Sequence, residues 1–458
     1  MATHARWGRW GLVSATLGVA VAVASGCSWA RFSDVGEDAP VLLFKKPDKL
    51  KGGFGVSLAT AFAGDTTRVL VGGAPNRSRG ASFQLSPGQA AQVDAVDSGF
   101  CSGGPACMMA NSVAGLGLAR VPGGTSGIQL EQCFVFAIGE AGNGTGLVAR
   151  CRDQTEYALP VPEDVDRHLI QPALRGEEPI ALYLAADKDE LASVIAGAPE
   201  QVPALAWFYP PDSMTPISLP PPRADLSFGK AVASARISGG GRLLAVAAPG
   251  EGNVYLYRWR PGQAEAALLG CLGGQAGLGR ALATGRVTPD AVDDLVVSDD
   301  RTVYVLNGEV LSELPETTGA PTCTLAGLPQ GALVTSFGCG TEASVEGCER
   351  SLFGAALEVA DLDGDGDGEV LVGAPLMTVR GVGSAGAVLV YDVEGERPFN
   401  LHDVLFMSSA EEGDQLGRSL AVARSGAQEV VVAGAPGNEK TALFFCSVFT
   451  PGLAPRCP

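Results

Sequence analysis

The feature that most constrains this chain is a repeat. Each copy begins with an aromatic residue or Leu followed by Gly, runs into a stretch rich in Ala and Ser, and crosses a polar loop. It then enters a β-branched run that often ends in Gly-Ala-Pro, followed by a third apolar run. Phe54-Gly55 leads VSLATAF and then VLVGGAP ending at Pro75, and Phe228-Gly229 leads KAVASARI, LAVAAP ending at Pro249 and VYLYRW. Leu278-Gly279 leads RALATGRV, DLVVSDD and TVYVLN, and Phe353-Gly354 leads AALEVADLDGDGDGEVLVGAP and AVLVYDV. Leu416-Gly417 leads RSLAVAR, VVVAGAP ending at Pro436 and TALFFCSV. Two divergent copies fill the gap: one led by Leu116-Gly117, and one without the dipeptide that contains SVIAGAP ending at Pro199. That makes seven copies, about 50 to 75 residues apart. A period of this length is the mark of a repeat architecture, in which each unit buries its faces against its neighbours.

Short apolar runs bounded by turn residues read as strands, and 62 Gly and 30 Pro supply the turns. Each copy has three or four such runs, with AALLGCL (266–272) and HDVLF (402–406) among the fourth runs. The expectation is an all-β, seven-bladed β-propeller of four-stranded antiparallel blades spanning 40–458, an arrangement that leaves only short, protected edges. The first run of each copy is built from small residues, as innermost strands crowded around an axis must be. The last copy shows three strands (419–424, 430–436 and 441–448), and PVLLF (40–44) is the candidate that closes its blade from the N-terminal side.

Ahead of that strand, Arg6 and Arg9 precede an apolar run from Gly11 to Val23 and the small residues Ala24-Ser25-Gly26. This is the form of a secretory signal (1–26), too short for a comfortable membrane span. Gly26-Cys27 resembles a bacterial lipobox, with Ala24 in place of the usual Leu. Cys27 would then be acylated and residues 27–39 would form a short tether. Ser28 after it resembles lipoproteins routed to the outer membrane, which places the chain in the cell envelope. An ordinary signal peptide, with Cys27 as one more disulfide partner, is the alternative. Eleven Cys less Cys27 leave ten, enough for five bridges in an oxidising compartment. No CxxC occurs, which disfavours zinc ribbons and thioredoxin-type sites. Local pairs such as Cys446 with Cys457 are expected. The stretches near 97–112, with Cys101 and Cys107, and 308–350, with Cys339 and Cys348, read as disulfide-braced loop insertions.

The sharpest chemical signal is Asp361-Leu-Asp363-Gly-Asp365-Gly-Asp367-Gly-Glu369, between AALEVA and VLVGAP. Carboxylates at alternate positions can wrap a hard cation such as Ca2+, with Gly letting the backbone turn, and without a cation they repel one another. An EF-hand would need flanking helices, and here the loop joins two strands.

Phe-Gly followed by Gly-Ala-Pro, with an acidic loop between them, resembles the FG-GAP repeat of integrin α-subunits and bacterial surface proteins. The resemblance covers about residues 40–450. It implies a calcium-binding β-hairpin in which Asp361, Asp363 and Asp365 give side-chain oxygens and Asp367 its backbone carbonyl. Glu369 would close the site, where the family usually has Asp. The other copies have lost the loop: Arg286 takes the first ligand position in 286–294, residues 238–242 have no acid, and 63–68 offer only Asp65. One calcium site is therefore expected, pinning a hairpin.

A formal charge of −18 argues against nucleic acid as a partner. Three His (His4, His168, His402) leave little for imidazole catalysis, and no nucleophile-elbow, HExxH or phosphate-loop motif is present. The reading is a lipid-anchored, calcium-binding binding or adhesion module and not an enzyme. Its expected partner is a protein or polysaccharide at the cell surface. The alternative is a scaffolding subunit of an envelope complex, and an enzyme with a site in the propeller funnel ranks third. If Cys27 carries the anchor, Cys27→Ser will move the protein from the membrane fraction to the soluble fraction. Retention in the membrane rules out lipidation there.

Overall fold

The computed structural model describes residues 41–46, 54–63, 66–72 and 81–85, short stretches within 114–162 and 183–199, and most of 204–444. Residues 1–40, 340–349, 363–364, 393–399 and 445–458 are among those outside the described set. The sequence-predicted signal, tether and 97–112 loop, with Cys27, Cys101, Cys107, Cys348, Cys446, Cys457, His168 and Asp363, therefore lie outside it.

The strands follow the repeat. After β1 (Val41–Lys45), the first sheet holds β2 (Ser57–Ala63), β3 (Thr66–Gly72) and β4 (Ala81–Leu85). The second holds β5 (Ala114–Leu116), β6 (Cys133–Ala137), β7 (Leu147–Cys151) and β8 (Glu156–Leu159). The third holds β9 (Tyr183–Ala186), β10 (Val194–Ala198), β11 (Leu205–Tyr209) and β12 (Ile217–Leu219). The fourth holds β13 (Ala231–Arg236), β14 (Arg242–Ala248), β15 (Asn253–Trp259) and β16 (Ala267–Leu272). The fifth holds β17 (Leu282–Gly285), β18 (Asp294–Ser298), β19 (Thr302–Leu306) and β20 (Leu333–Gly338). The sixth holds β21 (Leu357–Ala360), β22 (Glu369–Ala374), β23 (Ala387–Asp392) and β24 (Asn400–Leu405). The seventh holds β25 (Ser419–Ser425), β26 (Gln428–Ala435) and β27 (Lys440–Phe444), with β1 antiparallel on β27 from Val41↔Phe444 to Lys45↔Lys440. Each sheet is an antiparallel meander. The first strands stand side by side in the order β2, β5, β9, β13, β17, β21, β25, and β25 stands beside β2. This is a β-propeller.

From the third blade to the seventh, adjacent sheets pack face to face, so the middle strands lose the alternation of a half-wet strand. All seven residues of β14 and all six of β22 are buried. The apolar clusters lie between blades: Phe208 of the third blade packs with Phe228 and Tyr255 of the fourth, and Val305 of the fifth with Phe353 and Leu389 of the sixth.

The repeat's two glycines explain each other. A Cβ placed on Gly197 would fall 2.1 Å from the Gly229 carbonyl oxygen, one on Gly373 2.0 Å from that of Gly417, and one on Gly434 2.1 Å from that of Gly55. The Gly of Gly-Ala-Pro in one blade thus lies against the lead Gly of the next. The lead glycines adopt φ of +92°, +85° and +89°, where a side chain is strained. In the two copies where that Gly-Ala-Pro position holds Ala247 or Ser298, the partner is still Gly, Gly279 or Gly354. Ser298 Oγ donates to the Gly354 carbonyl at 2.8 Å. The lead Phe228 and Phe353 are buried between blades, each beside a Tyr of its own blade, Tyr255 and Tyr391.

Two expectations need correction. The 308–350 stretch is not purely an insertion, since it contains β20, the outer strand of the fifth blade, and a short helix, Gly308–Ser312, capped by Asn307. β20 escapes notice because its first residues, Leu333 and Val334, are 43 % and 38 % exposed and no regular alternation marks it. The bridge described is not local either: Cys271 pairs with Cys323 across 52 residues, tying β16 to the fifth blade's outer connection. Cys339 is also disulfide-bonded.

Asp403, in the middle of β24, is fully buried. One oxygen accepts the Val404 N–H at 2.6 Å, and Oδ2 has no hydrogen-bond partner. Burial pushes its carboxyl from the ordinary 3.8 up to about 6, against the Val404 hydrogen bond. With the folded value raised, the contribution to stability is complete below the unfolded value and is lost as pH rises through about 6, a difference of about 3 kcal/mol. Asp403→Asn is expected to raise the unfolding midpoint at pH 8 and to flatten the slope of stability between pH 4 and 7. An unchanged slope in a pH series of denaturation curves overturns this.

Candidate functional site

The acidic loop is a β-hairpin, as its flanking runs require: β21 and β22 pair with Ala360 opposite Glu369. Glu369 is 3 % exposed, and its Oε2 accepts the Leu362 N–H at 2.7 Å. Asp365 Oδ1 accepts the Asp367 N–H at 2.8 Å, and Gly366 takes φ +96° to make the turn. Asp361, Asp365, Asp367 and Glu369 are thus brought to one hairpin. Among the described residues, no three acids gather around a single point. Burial pushes the Asp367 carboxyl up, the charges of Asp365, Asp361 and Asp290 push it the same way, and the Arg286 guanidinium offsets part of this. The donor set is all oxygen, the kind a hard divalent cation takes.

The neighbouring hairpin shows what the closing acid does alone. Asp294, at the position of Glu369, is fully buried; its Oδ2 accepts the N–H groups of Val287 and Thr288 and the Thr288 hydroxyl, and its Oδ1 accepts the Gly308 N–H. Burial raises its carboxyl against those hydrogen bonds. Glu369 makes the corresponding bond to Leu362, so this acid is a hairpin latch in both blades.

A second pattern joins the hairpins of adjacent blades. Eight residues after the lead aromatic or Leu stand Arg236, Arg286, Asp361 and Arg424. The residue just before the closing position is Asp293, Gly368 or Glu429. Between the fourth and fifth blades, Arg236 N, Nε and Nη2 all donate to the Asp293 carboxylate at 2.9–3.1 Å, and Asp293 N returns a bond to Arg236 O at 3.1 Å. Between the sixth and seventh, Asp361 N donates to Glu429 Oε2 at 3.0 Å, while Glu429 Oε1 takes Arg424. Between the fifth and sixth, Gly368 N donates to Arg286 O at 2.6 Å, but Gly368 has no carboxylate to offer. Arg286 instead donates to Gly366 O and lies 3.6 Å from Asp367. A residue read from sequence as a failed calcium ligand is therefore the acidic loop's internal counter-cation. Aligning the copies on their lead dipeptides would have exposed the Arg236–Asp293 pairing.

A cavity of about 620 Å3 runs along the axis, walled largely by Ala, Ser and other small residues of the first strands. Its lining includes Lys230, Arg280 and Arg418 near the lead dipeptides, and Arg236, Arg286 and Arg424 at the hairpin end.

A sequence model of the FG-GAP repeat matches residues 353–391, which contain the acidic hairpin. No curated protein matches the chain. Among solved structures, the crystal structure of Saccharomyces cerevisiae Sqt1 aligns with 89 % of this chain and 98 % of its own, at 10 % identity and a TM-score of 0.43.

The Arg236–Asp293 clasp predicts an order of costs. The Asp293 side chain is 8 % exposed and that of Arg236 43 %. Arg236→Ala leaves a nearly buried carboxylate without its counter-charge and with only the residue-236 backbone N–H of the clasp, whereas Asp293→Ala leaves a guanidinium that water can reach. Both variants are expected to destabilise, the first by about 2 kcal/mol and more than the second, in denaturant titrations. The reverse order would show that packing, not charge, holds the seam.

Proposed function

We propose that this chain is a calcium-binding β-propeller, anchored in the cell envelope through a lipid on Cys27, that works as a binding module and not as an enzyme. The observation that carries this reading is the FG-GAP match over 353–391, centred on the hairpin with the densest oxygen donors. Asp361, Asp363, Asp365 and Glu369 would hold Ca2+ by their side chains and Asp367 by its carbonyl. Calcium, when bound, supplies the positive charge that lets these carboxylates stay close, and Arg286 is the counter-cation nearest to them among the described residues. The partner would be a protein or polysaccharide ligand at the cell surface. The outer loops, held by a rigid propeller, are the recognition elements the fold offers.

The test is a calorimetric calcium titration of the full chain, paired with capture of envelope proteins and extracellular polysaccharide in calcium and in chelator. One saturable calcium site is expected, lost in the Asp361→Asn/Asp365→Asn double variant, together with a specific partner whose capture weakens in chelator. Absence of calcium binding rejects the metal assignment. Calcium binding without a saturable partner moves the protein to the scaffolding reading.

A further inference from the structure

The axial cavity carries charge at both ends, but the two ends use it differently. At the hairpin end every described cation is engaged by protein: Arg236 by Asp293, Arg424 by Glu429, and Arg286 by Gly366 O and Asp367. That is how this fold spends a cation on structure. Two residues after the lead aromatic or Leu, at the opposite end, the repeat places Lys230, Arg280, Ala355 and Arg418, all lining the same cavity. Arg280 pairs with Asp300 of its own blade. Lys230 and Arg418 are exposed and have no ion-pair partner among the described residues.

Acids are present at that end, but they are held elsewhere or face away. Lys440 holds Glu411 at 2.9 Å and Asp414 at 3.0 Å, and Lys46 holds Glu439. None of these lines the cavity, and neither does the exposed Glu412. In a chain with 50 acidic and 32 basic residues, three cations share one rim of the cavity, and among the described residues the carboxylates that line it, Glu358, Asp293, Asp361 and Glu429, lie farther along the first strands or at the hairpin end.

We propose that this mouth binds a small multivalent oxyanion, with Lys230 and Arg418 as its ligands and Arg280, held by Asp300, beside them. Long cationic side chains around a void walled by small residues can converge on one guest. Guanidinium groups match carboxylate and phosphate oxygens two at a time, and a local excess of cations at one rim attracts the opposite ion even on an acidic protein. The site is independent of the acidic hairpin, which lies at the other end of the axis.

Calorimetry of the purified full chain in calcium-free buffer tests this, with tricarballylate as the carboxylate probe and pyrophosphate as the phosphate probe. Saturable binding of at least one probe is expected, and which one binds identifies the ligand chemistry. Lys230→Ala and Arg418→Ala should each weaken it about tenfold, and the double variant should abolish it. Arg424→Ala, at the hairpin end, should leave it unchanged. Lys230 and Arg418 are exposed, so unfolding midpoints should match the parent's. No saturable heat with either probe, or equal affinity in the double variant, overturns the proposal.

Discussion

Neighbouring blades meet through backbone where side chains would normally intervene. The lead Gly of one blade rests on the Gly-Ala-Pro glycine of the one before, at Gly229 on Gly197, Gly417 on Gly373 and Gly55 on Gly434. At least one partner of each such contact must lack a side chain, and where the first is Ala247 or Ser298 the second remains Gly. This contact sets the spacing of the blades at one end. The rest follows from it: small first strands around the axis, apolar clusters between sheets, and hairpins brought close enough at the other end for Arg236 and Asp293 to clasp.

The parts of this architecture that were legible in sequence are those the close approach dictates. Phe-Gly and Gly-Ala-Pro recur because a Cβ has no room, and the Ala-rich first runs recur because the axis is crowded. The run 40–44 could be matched to the last blade because that blade lacked a strand, and β1 does pair with β27. The acidic loop could be placed on a hairpin because both flanking runs alternate with the repeat. Other features carry no local signal. β20 opens with exposed residues, so burial does not mark it. Cys271 and Cys323 meet because two blades are stacked, not because they are close in sequence. Asp403 sits between His402 and Val404 in a strand of mixed polarity, with nothing to announce that its carboxylate is buried.

The candidate site was half legible for the same reason. The donors at Asp361, Asp365, Asp367 and Glu369 can be listed from the chain alone. Whether Glu369 faces a cation or latches the hairpin depends on the Leu362 N–H, 2.7 Å from its oxygen. The role of Arg286 depends on the following blade having Gly368 where Asp293 and Glu429 stand elsewhere. A single glycine thus turns an inter-blade clasp into a counter-charge for the acidic loop.

The seventh blade is completed from the opposite part of the chain, and this has a mechanical side. β1 lies antiparallel along β27 through five registered pairs, and Lys46 adds a backbone bond to Glu439 O at 3.0 Å and an ion pair to the same residue. A pull on the N-terminal side of Val41, directed along the strand, loads all of these bonds together in shear and does not open them one at a time. The strand that completes the blade is then also its strain-bearing clamp. Tension arriving from that side would be resisted by a whole ladder before any sheet of the propeller began to part.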